Sequence, residues 1–131
     1  MKYSIAGLPK KQISVLKSLG VQMSPREFYL AGGTALAIHL SHRISVDLDW
    51  FTPNSFPDGM ILAQSLRNSN IELEIEQVSP GTLHGSVKGV RVTFLQYQYP
   101  LLKPLEQWNE MNCPLASLED LACMKLSAIA Q

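Results

Sequence analysis

Between Gly32 and Asp49 the chain places a glycine pair, a hydroxyl, a cation and two carboxylates within eighteen residues. The order is Gly32-Gly33-Thr34, then Arg43 and Ser45, then Asp47-Leu48-Asp49. Glycine permits positive φ and lets backbone approach a ligand closely. A turn of this kind that opens a helix leaves free N–H groups aimed at one spot, which favours an anion, phosphate above all. The Thr34 hydroxyl can add one more hydrogen bond. Asp47 and Asp49 are two apart, so on a strand their side chains leave the same face. Like charges held together repel, and a divalent metal removes that cost. Mg²⁺ prefers oxygen ligands and takes one or two carboxylates plus substrate phosphates. Arg43 can donate two parallel hydrogen bonds to a phosphate, and Ser45 is a further donor or acceptor. Together these parts could hold a nucleoside triphosphate with its metal.

Each part taken singly has an ordinary explanation. A glycine pair before a helix is commonly a tight turn, and surface carboxylates and cations are commonly just solvated. His39 and His42 have no Cys or carboxylate at zinc-ligand spacing, so structural or partly exposed roles suit them better. The joint order and spacing is what carries the reading.

The elements that must position these residues are legible nearby. Phe28-Tyr29-Leu30-Ala31 is a short apolar run, the pattern of a buried strand. Ala35 to Leu40 reads as helix. Val46 to Phe51 reads as a strand with Val46, Leu48 and Trp50 in the core, opposite the two aspartates. Upstream, Gln12 to Leu19 reads as a helix with Ile13, Leu16 and Leu19 on one side, ended by Gly20, and Ser24-Pro25 as a turn. Downstream, residues 52–59 read as loop and Met60 to Asn68 as helix. Three meandering strands follow, at residues 71–78, 82–88 and 90–97. The first alternates apolar and acidic residues, which puts Glu72, Glu74 and Glu76 on a wet face. Residues 99–104 break regular structure. Ser117 caps a last helix whose apolar side is Leu118, Leu121, Met124, Leu126 and Ile129, and a cap role alone accounts for Asp120. This is an α+β order with no internal repeat.

At 131 residues the chain makes one domain, residues 1–131, able to bury a core. A hydrophobic content of 46% with 17% charged residues argues against disorder. A net charge of zero provides no global field for nucleic acid, though a local basic patch could still act. The start, MKYSIAGLPKK, lacks the apolar core of a signal peptide, and no run is long enough to span a membrane. Cys113 and Cys123 form no metal motif and read as free thiols of a cytoplasmic protein.

Residues 28–52, FYLAGGTALAIHLSHRISVDLDWFT, resemble the signature of the AbiEii/AbiGii-type nucleotidyltransferase family. That pattern is Gly-Gly-Thr, a short helix, His-Arg-x-Ser, then Asp-x-Asp-Phe or a close variant. It is met here by Gly32, Gly33, Thr34, His42, Arg43, Ser45, Asp47, Asp49 and Phe51. The resemblance implies a polymerase-β-like nucleotidyltransferase fold, with a mixed, mostly antiparallel sheet and helices packed on one face. It implies Mg²⁺- or Mn²⁺-dependent transfer of an NMP from an NTP to an acceptor hydroxyl. Asp47 and Asp49 would then be the catalytic metal ligands, and Gly32, Gly33, Thr34, Arg43 and Ser45 would contact the nucleotide. Lys125 matches a lysine of the family's later helix and would reach the nucleotide too; as a helix residue it also reads as a solvated cation. Several members are toxins of toxin–antitoxin pairs, which implies a tRNA or other RNA acceptor and an antitoxin protein. Many enzymes of this fold carry a third carboxylate on a later strand, where this chain has Thr93. Relatives also continue past the last helix with a basic Lys-Asp segment and more helices. Those two departures keep a second expectation open, a module that binds nucleotide or a partner protein without catalysis.

Overall fold

The computed structural model describes Tyr3, residues 8–40 and residues 47–130, the last five as backbone alone. Helix α1 (Lys10–Met23) leads to strand β1 (Tyr29–Ala31), which runs directly into α2 (Gly32–Leu40). Strand β2 (Leu48–Thr52) is followed by α3 (Gly59–Asn68) and the meander β3 (Leu73–Ser79), β4 (Thr82–Val87) and β5 (Val90–Gln96). Two short strands, β6 (Glu106–Trp108) and β7 (Cys113–Leu115), flank a 3₁₀ turn and precede α4 (Leu118–Ala130).

The seven strands form one sheet in the order β3-β4-β5-β2-β1-β7-β6. Pairs β2–β5 and β1–β7 are parallel and the other four antiparallel, the mixed, mostly antiparallel α+β arrangement that the sequence implied. The acidic strand β2 is therefore central. Its burial alternates, with Leu48, Trp50 and Thr52 buried and Asp49 and Phe51 half-buried. Register carries that alternation into the neighbours: Leu30 lies opposite Trp50, Phe94 beside Trp50, and Leu83 opposite Phe94. All four are fully buried and join Leu16, Leu19 and Leu66 from α1 and α3 in one core. Asp58 caps α3 by accepting from the Met60 N–H at 2.9 Å.

Four expectations need correction. Gly20 does not end α1, which continues to Met23. It is a packing position, where a Cβ would lie 2.6 Å from the Met111 carbonyl oxygen and 2.8 Å from that of Asn112. Strand β3 does not alternate cleanly. Its register slips between Ile75 and Gln77, so Val78, not Gln77, returns to the core side opposite Leu83. Such a bulge sets one extra residue, here Glu76, out of the ladder and re-aims its neighbours. Leu118 is 38% exposed and lies off the buried side of α4, which holds Leu121. Strands β6 and β7 were not anticipated; three residues each show no periodicity.

The two cysteines are unbridged, as expected. Burial pushes the Cys113 thiol up to about 12, which leaves it inert at neutral pH. No described helix is long and apolar enough to cross a membrane.

Candidate active site

The site forms where β1 ends and α2 begins. Gly32 adopts φ +70°, a left-handed conformation that bends the chain from strand into helix. Any Cβ there would collide with the Asp49 carboxylate. The elbow and the acidic strand are thus in direct contact, and only glycine leaves room for that carboxylate. Gly33, one residue further, is exposed. The first N–H groups of α2 have no intrahelical partners, so the elbow presents donors beside the carboxylate.

Thr34 is fully buried, and its hydroxyl donates to the backbone carbonyl of Asp47. It therefore locks the acidic strand to the start of α2. The side-chain contact to phosphate read from the sequence is spoken for by this bond. Arg43 and Ser45, like His42, lie outside the described residues. His39 is structural, with its Nε2 2.9 Å from the Ala116 carbonyl oxygen and its ring edge-on to Tyr3.

Asp49 sits among three in-register neighbours on the open face. Ala31 of β1 lies on one side, Thr93 of β5 on the other, and His84 of β4 beyond Thr93. Burial, and secondarily the negative charge of Asp47, raises the Asp49 pKa above the usual carboxylate value, while His84 pulls it back down. One Asp47 oxygen, Oδ1, is shut off from solvent and accepts no hydrogen bond from any described residue. It faces Arg91 Nε at 3.5 Å, while the rest of the Asp47 side chain is 42% exposed. Arg91 thus supplies one counter-charge to the acidic pair, while burial still holds the Asp49 carboxyl above its ordinary value. Among the described residues no three His, Cys, Asp or Glu side chains converge as metal ligands. Two carboxylates completed by substrate oxygens would suit Mg²⁺.

Two cavities open near the elbow and the acidic pair, one lined by Gly32 and Gly33 and the other by Asp47. The first, about 260 Å³, is lined by Gly32, Gly33, Leu36, Phe51, Leu121, Met124 and Lys125. It is mostly apolar and carries one cation. The second, about 420 Å³, is polar and lined by Asp47, Glu76, Gln77, His84, Gly85, Arg91, Val92 and Thr93. Lys125 thus does stand beside the elbow, whereas Asp120 turns inward: Ser117 Oγ is the cap, accepting the Asp120 N–H at 3.0 Å, and more than a cap role accounts for Asp120, whose carboxylate accepts from the Leu102 and Lys103 N–H groups. Sequence reasoning did not single out His84 or Arg91. The available hints were Gly85 within a strand and the change of apolar phase in β3, both signs of a bulge. A Cβ on Gly85 would run into the Glu74 carbonyl oxygen across that bulge.

Comparison with known proteins agrees with this geometry. Residues 15–103 match the family model described as nucleotidyl transferase AbiEii toxin, type IV toxin–antitoxin system. An uncharacterized protein of Aquifex aeolicus (strain VF5), aq_aa25, is 38% identical over 128 residues, covering 95% of this chain. The chain spans 60% of the length of that relative. Among solved structures, a candidate nucleotidyltransferase from H. pylori superposes with a TM-score of 0.56 at 14% identity, over 88% of this chain and 56% of the other. A tRNA-processing enzyme in an apo form superposes with a TM-score of 0.53 at 12% identity, over 89% and 35%. At such identities the likeness speaks for the fold, which is that of nucleotidyltransferases. With its glycine elbow pressed on an acidic central strand, and a family model matched over most of its length, the chain belongs to the AbiEii nucleotidyl transferase toxin family.

Proposed function

We propose that this domain carries out metal-dependent nucleotidyl transfer, moving an NMP from an NTP to an acceptor hydroxyl as the toxin of a toxin–antitoxin pair. The observation that carries it is the contact between the Gly32 elbow and the Asp49 carboxylate. That contact sets an anion site against a cation site, which is the pairing a metal-bound triphosphate needs. Asp47 and Asp49 are the residues that would hold Mg²⁺ or Mn²⁺. A bound divalent ion neutralises phosphate charge and stabilises the departing pyrophosphate.

The protein's own share is positioning and electrostatics. Backbone N–H groups at Gly32 and Gly33 receive the triphosphate, and Lys125 sits at the rim to share its charge. Arg43 and Ser45 belong to this proposal on the sequence pattern alone. The apolar cavity, about 260 Å³, falls just under the range of about 300–1,000 Å³ for whole-ligand pockets. It suits a base and not a whole nucleotide, with Phe51, Leu36 and Met124 as its walls. An RNA acceptor such as tRNA, an antitoxin partner and a cytoplasmic location complete the reading.

The test is incubation with each α-labelled NTP, Mg²⁺ and total cellular RNA or lysate. The wild-type chain transfers label; Asp49→Asn loses at least ~10³-fold, about 4 kcal/mol of transition-state stabilisation. Equal labelling by the variant rejects the proposal. One observation favours a second reading, a nucleotide-binding module without catalysis: Thr93, neither a good Mg²⁺ ligand nor a base, is the in-register neighbour of Asp49. That reading expects NTP with Mg²⁺ to raise Tm while no pyrophosphate is released.

A further inference from the structure

Ala31, Asp49, Thr93 and His84 form one row across β1, β2, β5 and β4, each opposite or beside the next in register. The elbow at Gly32 continues from the Ala31 end of that row. Displacement at phosphorus places the attacking and leaving oxygens roughly in line. If the elbow receives the leaving pyrophosphate, the attacking hydroxyl must arrive from the opposite side of Asp49. That side is the polar cavity, about 420 Å³, whose wall carries Thr93 and His84. Strands are spaced about 4.8 Å apart, so the His84 backbone stands roughly 9–10 Å from that of Asp49. Thr93 stands between them on the same face, so the hydroxyl and the phosphorus would lie over its side chain, in the cavity.

We propose that His84 is the catalytic residue that takes the proton of the acceptor hydroxyl, and that Thr93 is the positioning residue that holds its ring. The proposal rests on the nucleotidyl-transfer reading. The hydroxyl oxygen bonds to the α-phosphorus, the bond from that phosphorus to the pyrophosphate oxygen breaks, and the hydroxyl proton passes to the imidazole. His84 Nδ1 lies 3.2 Å from Thr93 Oγ1, which anchors one ring nitrogen and leaves Nε2 for the acceptor. The imidazole is half-buried and open to the cavity. The groups that share its cavity are Glu76 and Gln77 from β3, Arg91 from β5 and Asp47 just ahead of β2, with Asp49 two strands away in the same row. Arg91, 63% exposed, adds a cation at the mouth that suits an acceptor bearing phosphate. The β3 bulge and Gly85 bring the neighbouring backbone close at this point, so the cavity wall is built and not frayed.

The decisive experiment measures label transfer against pH for wild type, His84→Asn, Thr93→Val, Thr93→Ser and Asp49→Asn, alongside NTP·Mg²⁺ affinity by equilibrium dialysis. His84→Asn is expected to lose about 10²–10³-fold in transfer rate, within the range for a general base. It should flatten the acidic limb of the pH profile and keep NTP affinity within about twofold. Thr93→Val is expected to lose about tenfold in rate and displace that limb, and Thr93→Ser to restore both. Transfer by His84→Asn within about threefold of wild type, with the acidic limb intact and Asp49→Asn dead, overturns the role of His84 alone. Absence of transfer by wild type, or full transfer by Asp49→Asn, overturns the enzymatic reading on which it stands.

Discussion

Strand β2 has two faces, and they do different work within five residues. Leu48 and Trp50 are fully buried and belong to the core that also holds residues of α1 and α3. Asp49 and Phe51 alternate with them on the opposite face, Phe51 lining the apolar cavity and Asp49 touching the Gly32 elbow. Period-two geometry allows this division: successive side chains leave opposite sides of the sheet, so packing and chemistry share backbone without sharing space. The cost of the reactive face is local. A carboxylate held against its own strand neighbours and a second acid is harder to ionise than one in water.

Substitutions can break or sharpen that contrast. The largest effect belongs to the buried face. Trp50→Ala removes the centre of the core and should cost about 3–5 kcal/mol of stability, read as a lowered urea midpoint. A loss under about 1 kcal/mol would mean that the two faces are not distinct in energy. Next comes the hinge between the faces. Gly32→Ala puts a methyl into the Asp49 carboxylate at a positive φ, so the carboxylate must move. Transfer should drop about 10²-fold, the size that a displacement of about 1 Å produces, with a smaller loss of stability. Unaltered transfer would show that the contact is incidental.

The smallest effect separates the reactive face from the fold. The Asp49 pKa is raised by folding, so the carboxyl stabilises the native state below its unfolded value and that contribution fades as pH rises through the folded one. At neutral pH without metal, Asp49→Asn should therefore melt above wild type. The gap should close as pH falls below the ordinary carboxylate range near 4. A variant that melts lower at neutral pH would contradict the strain assigned to this face. The same substitution that ends catalysis is thus expected to stabilise the fold.

Much of this site was readable before any coordinates. An apolar run, a glycine pair, a helical run and an alternating acidic strand are local signals, and each produced its element: β1, the elbow, α2 and β2. Thr34 was readable as a hydroxyl at the elbow but not as a bond to Asp47, because the partner is a backbone carbonyl across the turn. His84 was invisible for a stronger reason. Its place beside Thr93 follows from the β4–β5 hairpin, but that of Thr93 beside Asp49 depends on the parallel pairing of β5 with the distant β2. Strand β7 pairs with β1 through a single bridge at Leu30 and Leu115, too short a match for periodicity to register.

One buried carboxylate links two pieces of surface. Asp120 accepts from the Leu102 N–H at 2.7 Å, the Lys103 N–H at 3.1 Å and the Ser117 hydroxyl at 2.9 Å, and is only 3% exposed. Peeling the segment with Leu102 away would break two of the three hydrogen bonds to that carboxylate, each worth about 1.5–3 kcal/mol for a charged acceptor. That segment and the base of α4 are consequently tethered, and a tug on the exposed side chains of Tyr99 or Leu102 reaches the helix that bears Leu121, Met124 and Lys125.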